Sequence, residues 1–357
     1  MAESARSSFD RDIQERLDAQ LAAVNTEGFS AARIERIFGD AINRAVKLHA
    51  PVLVEKLRNA SPKLVSEIRS ADEGVRADLR GRWGPDLDRL AVIRNLCEER
   101  AGDFYDDNRV AADKQPALLT ALAQLSALSI RISGEIYHLL LHGYPDAAMA
   151  RTRALHELFV TATVIADYQG KPCSEDLADR YLSHPRIARY AAAKTEFESA
   201  SVPEHQKLSA TALAVAKKSA DDLVRKYGGT FKLDWGWAMP LFPKSDDCKF
   251  SNLEKLADVS LFRAHYASAS NYVHGGSFGT AANLETDATN PAYIYMMTGP
   301  RVTDLSTPMQ LTSIYLVGIT SALVLSGAPG QNSPGDRLII RALEILLAEA
   351  VAALTSI

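Results

Sequence analysis

Apolar residues recur at spacings of three and four along nearly the whole of this chain, and no stretch alternates strictly between apolar and polar. A period near 3.6 is that of a helix with one buried face, whereas a half-buried strand would alternate. The pattern predicts an all-α multi-helix bundle with essentially no sheet. The 357 residues suffice for a substantial core, and 47% apolar with 24% charged residues is ordinary globular composition.

Residues 9–24 place Phe9, Ile13, Leu17, Leu21 and Val24 on one helical face. The next helix carries Ile34, Ile37, Phe38, Ile42, Val46 and Leu48, and Pro51 is expected to end or kink it. Ser61-Pro62 reads as a cap with a first-turn proline, so a new helix is expected there. Gly81, Gly84 and Pro85 punctuate the chain before a helix over 86–105, and no repeat of fixed period stands out. The Arg- and Glu-rich polar faces of this third suit either solvent or a partner helix. The polar run from Asp106 to Pro116 marks a boundary. It separates an N-terminal helical extension, 1–106, from a helical core domain, 117–357.

In the core domain, helices over 117–142 and 146–168 flank the tight turn Gly143-Tyr144-Pro145-Asp146, which makes them antiparallel neighbours. Residues 174–199, split or kinked by Pro185, and 204–227 form a further pair that ends at Gly228-Gly229. Residues 230–250 hold two of the three tryptophans and two prolines, and are expected to form one ordered aromatic loop. Helices are expected again over 253–258, 260–274, 305–326 and 335–356.

Several classes are excluded by what is missing. The net charge of −4 offers no general attraction to phosphates, so RNA would need a local patch. Cys97, Cys173 and Cys248 are far apart and form no zinc-binding pattern. Sparse cysteine and a polar first eleven residues without a signal-peptide core point to the cytoplasm. The uncharged run from Met309 to Gly327 approaches membrane-spanning length, but its Ser and Thr content reads as a buried core helix, with no membrane contact. Glu135-x-x-His138, followed by His142, is one motif where a di-metal bundle needs two, so neither metal nor cofactor is expected. No phosphate loop or nucleophile elbow is present.

The chemistry-bearing residues concentrate in two places. Arg263, Tyr266, Ser270 and His274 lie along one stripe of the 260–274 helix, since ~100° per residue brings these offsets together. Arg153 and Glu157, four apart on the 146–168 helix, share a face and are the expected partner of that stripe. Either the set is a catalytic or ligand site, with His274 as the proton-transfer group, or it is a packing network. Arg151 and His156, on the same helix, form an alternative pair.

Three motifs in order, Arg153-x3-Glu157 after a G-Y-P-D-A-A turn, Trp235-Gly236-Trp237-Ala238, and Tyr266-x3-Ser270-x3-His274, resemble a bacterial all-helical family of unknown function over residues 120–280. That resemblance implies an all-helical cytoplasmic protein and no particular reaction. The spacing of Arg151 and His156 is similar to the loose R-x4-6-H signature of HEPN-type and abortive-infection proteins. This second likeness implies a metal-independent ribonuclease in phage defence or a toxin system, RNA or a nucleotide as partner, and a homodimer. The alternative function is a non-catalytic ligand-sensing or protein-interaction module, with a partner protein held by the N-terminal helices.

Overall fold

The computed structural model describes residues 30–108, 116–199, 207–273, 298–326 and 333–355 continuously, with isolated positions elsewhere. The helix expected over 9–24 lies almost wholly outside the described residues. The chain is all-α, as its periodicity predicts. The helices are α1 (Ala31–Asn108), α2 (Pro116–Leu141), α3 (Pro145–Tyr168), α4 (Leu177–Ser183), α5 (Pro185–Glu198), α6 (Ala210–Tyr227), α7 (Phe250–Leu256), α8 (Arg263–Val273), α9 (Ser306–Leu325) and α10 (Pro334–Thr355). Leu284–Thr286 and Ile294–Met296 form one short antiparallel pair, a small exception to the expected absence of sheet.

Two compact units are distinguished, Met1–Gly74 and Val75–Ile357. The division falls well before the polar run at 106–116, because Leu79, Trp83, Leu87, Leu90, Ile93, Cys97 and Phe104 are core residues of the second unit. Their period places residues 75–106 with the core domain rather than with the N-terminal extension.

In the first unit α1 runs without interruption through Pro51 and Pro62, where the sequence predicts breaks. The helical frame exposes a period that spacing alone conceals. Residues 39–49, 50–60, 61–71 and 72–82 are successive 11-residue repeats, each with apolar residues at its fourth and eighth positions. These are Ile42 and Val46, Leu53 and Leu57, Leu64 and Ile68, and Val75 and Leu79. Eleven residues are close to three turns, so these positions form a straight stripe. Pro51 and Pro62 share the second position, roughly 140° from the middle of that stripe by the same pitch. The carbonyls four residues earlier, Lys47 and Arg58, lose an amide donor but face outward, where water can replace it.

In the second unit the central element is α9, packed against α2, α3 and α10. Leu311, Tyr315, Leu316, Ile319, Leu323 and Val324 are buried along it. α2 and α9 are each long and apolar enough to cross a membrane by composition, and 67% of the apolar window in α9 is buried within the fold. Close approach of α9 to α3 requires Gly318, where a Cβ would lie 2.2 Å from the Phe159 ring. The α2–α3 turn requires Gly143, which has φ +76° and donates space to the Arg301 backbone. Arg301 N–H donates to the Gly143 carbonyl at 2.7 Å, and the Arg301 guanidinium pairs with Asp146.

Candidate functional site

α3, α7 and α8 converge beside α9 and bring most of the nominated polar residues together. The Tyr266 hydroxyl of α8 donates to Glu157 Oε1 at 2.8 Å. Arg153 Nη2 donates to the same hydroxyl at 3.1 Å, and Arg153 Nε lies 3.4 Å from Glu157. The three side chains close a ring of hydrogen bonds between two helices. Burial, and then the Glu157 carboxylate accepting its proton, push the Tyr266 phenol up from its ordinary value. Tyr266 therefore acts here as a donor, and its ionised form is disfavoured. The Arg153 and Arg263 guanidinium groups both approach the Tyr266 ring, at 4.9 and 5.4 Å from its centroid.

A second cluster lies beneath the first. His156 Nε2 is 2.9 Å from Glu254 Oε1, with side-chain exposures of 1% and 2%. Arg263 Nη1 takes the other carboxylate oxygen at 2.8 Å. A carboxylate here accepts, so Nε2 carries the imidazole proton and donates it. Nδ1 is then the basic nitrogen, and it is buried without a hydrogen-bond partner. Burial is the chief influence and pulls the His156 pKa down, against the opposing pull of Glu254. The rings of Tyr315, Tyr266, Phe250 and Phe262 stand 5.0 to 6.3 Å from the imidazole. This is a neutral histidine in an aromatic box, with its one donor held by a buried carboxylate.

The remaining nominated residues are used otherwise. The Ser270 hydroxyl donates to the Tyr266 carbonyl at 3.0 Å, one turn back on its own helix. His274 lies outside the described residues. Arg151 and His156 do not meet. Five residues place them roughly 140° apart around α3, and Arg151 pairs with Glu135 of α2 at 2.5 Å. The Cys97 and Cys248 thiols are pushed up to about 11 by burial, which disfavours a thiolate. Among the described residues no three His, Cys, Asp or Glu side chains are placed to share a cation.

The aromatic loop frames the site's wall. Trp237 is buried, and its carbonyl accepts from Arg180 Nε at 3.0 Å. Trp235 packs on Phe250, which in turn packs on Tyr266, both at 5.0 Å. Gly236 is required because a Cβ there would sit 2.6 Å from the carbonyl oxygens of Thr230 and Phe231. The W-G-W-A element thus anchors the loop through its backbone and rings.

Glu254 escaped the sequence reading, although a signal existed. Phe250, Leu253 and Ala257 mark the buried face of α7, and Glu254 occupies the same face. A carboxylate on an apolar face implies a buried cationic or donor partner. Which one is set by folding, since His156 lies 98 residues away in sequence.

No curated protein and no solved structure matches the chain. A family model does match residues 119–291, and it describes a family of unknown function, DUF5677. The matched segment, somewhat under half of the chain, holds the Arg153–Glu157, Trp235–Ala238 and Tyr266–Ser270 elements whose contacts close the bundle, and over that segment the chain is similar to the DUF5677 family.

Proposed function

We propose that this chain is a non-catalytic protein-interaction module, in which the converging polar residues fasten α3, α7 and α8 together. The observation that carries this reading is mutual satisfaction: Glu254 receives His156 and Arg263, while Glu157 receives Tyr266 and Arg153. A general base must reach a substrate proton with a free lone pair. The free nitrogen of His156 is sealed among aromatic rings, and Arg151 serves Glu135 on another face. The exposed apolar stripe of α1 supports association as the working principle, since large unpartnered apolar surfaces mark interaction sites.

The competing reading, a HEPN-like metal-independent ribonuclease, is tested directly. Purified chain is incubated with total RNA beside His156→Gln and His274→Ala variants. The proposal expects no cleavage above that of the two variants. Cleavage by the unaltered chain that either substitution abolishes, with the variant still folded, would overturn it.

A further inference from the structure

Where the last turns of α1 pass α2 and α9, the packing stays open. A cleft of about 380 Å³ lies there, wholly within the second unit. Its apolar wall is made by Ala101, Ala123, Ala127, Ile130 and Leu323. The opening follows from residue size. Ala101 and Gly102 on α1, and Ala123 and Ala127 on α2, are small, whereas Leu122 and Leu125 on the inner face of α2 are large and buried. A Cβ added at Gly102 would meet no atom within 4 Å. Protein interiors otherwise pack to the density of organic crystals, and apolar clefts of about 300–1,000 Å³ are where small molecules bind.

One polar group is buried in this wall. Ser126 is 1% exposed, and its hydroxyl has no hydrogen-bond partner. Ser129 and Ser133, further along the same helix, donate to carbonyls three residues back, those of Ser126 and Ile130. Ser126 does not use such a local acceptor, and it lines the cleft. A buried hydroxyl left unpaired is destabilising, and a bound group able to donate or accept would offset that cost. At the mouth stand the exposed residues Glu98, Tyr105 and Gln124. Glu98 makes no ion pair among the described residues, and no Lys, Arg or His lines the cleft. Arg94, one turn before Glu98, instead donates to the Ser133 hydroxyl at 3.1 Å and lies over the Tyr137 ring.

We propose that this cleft binds a small, largely apolar molecule carrying one cationic amino group. Hydrocarbon or an aromatic ring fills the space between the alanines, Ile130 and Leu323. A polar atom of that body pairs with the Ser126 hydroxyl. The ammonium sits at the mouth, where the Glu98 carboxylate accepts its hydrogen bond beside the Tyr105 ring. An anion would meet Glu98 with no base to compensate, so the same carboxylate selects against it. At water's ~30 Å³ share, the volume holds roughly a dozen non-hydrogen atoms, the size of an arylethylamine. The cleft shares no residue with the α3–α7–α8 cluster, so the inference goes beyond the interaction-module reading and does not depend on it.

The test is isothermal titration of the full chain with tryptamine and with two analogues on the same ring, neutral tryptophol and anionic indole-3-acetate. Saturable binding of tryptamine is expected, with tryptophol about tenfold weaker and indole-3-acetate not bound. Glu98→Gln should weaken tryptamine about tenfold and leave tryptophol unchanged, a split that a merely structural role would not give. Ser126→Ala should weaken both about fivefold and melt no lower than the unaltered chain, because it removes an unsatisfied hydroxyl. Ala127→Phe, at an exposed position, should fill the cleft and abolish binding with the melt retained. The proposal is overturned by no saturable binding of tryptamine, by equal binding of indole-3-acetate, or by tryptamine binding that survives Glu98→Gln or Ala127→Phe undiminished. A lower melt or an unchanged affinity in Ser126→Ala would remove that hydroxyl from the site. These failures are separate from that of the interaction-module reading, which falls on histidine-dependent RNA cleavage.

Discussion

A buried histidine whose free nitrogen meets only hydrocarbon is a pH-dependent element of stability. The His156 pKa is depressed by burial, so the folded chain binds fewer protons than the unfolded one below the ordinary histidine value of 6.5. Its contribution is complete above that value and declines as the pH falls through it. Melting temperatures measured from pH 8 to pH 5 should fall more steeply for the unaltered chain than for His156→Gln; parallel curves would contradict the assignment. His184 is depressed in the same direction by burial, so only the difference between the two chains isolates His156. Tyr266 makes a complementary case. Tyr266→Phe keeps the ring against Phe250 and removes the hydrogen bonds to Glu157 and Arg153. We expect a loss of about 1–2 kcal/mol in chemical denaturation, and an unchanged stability would show the ring of hydrogen bonds to be idle. The Arg153–Glu157 pair and the 263–274 stripe are legible as spacings of three and four on two helices, and are expected to be partners. Their meeting at Tyr266 depends on tertiary packing that no local spacing encodes.

At the scale of elements, the sequence predicts α2, α3, α9 and α10 closely, because each combines a helical period with a Gly, Pro or Ser boundary. It misplaces breaks in α1, because proline is read as a terminator wherever it occurs. Pro51 and Pro62 are tolerated since both fall on the outer face, a fact visible only once the 11-residue frame is drawn. The core helix α9 shows the reverse case, where an absent side chain is decisive. Gly318→Ala places a methyl into the Phe159 ring, which stacks on Tyr315 with centroids 5.5 Å apart. The substitution should destabilise by about 1–3 kcal/mol even though alanine favours helix. A thermal melt equal to or above that of the unaltered chain would show that the two helices can separate without loss.

For the whole molecule, the second unit holds the entire described core, from Leu79 to Leu354. Residues 75–357 on their own should melt cooperatively with near-native helicity by circular dichroism. A non-cooperative melt would mean that residues 1–74 are part of the folding unit. The unbroken α1 carries one more consequence, which concerns how such chains can vary in length. Removing residues 50–60 takes out about three complete turns and leaves Ile42 and Val46 in line with Leu64 and Ile68. Removing nine residues, two and a half turns, would instead turn the two halves of the stripe to opposite sides of the helix. Insertions and deletions tolerated in this arm should therefore come in steps of eleven, as though evolution adjusted its reach with a ratchet.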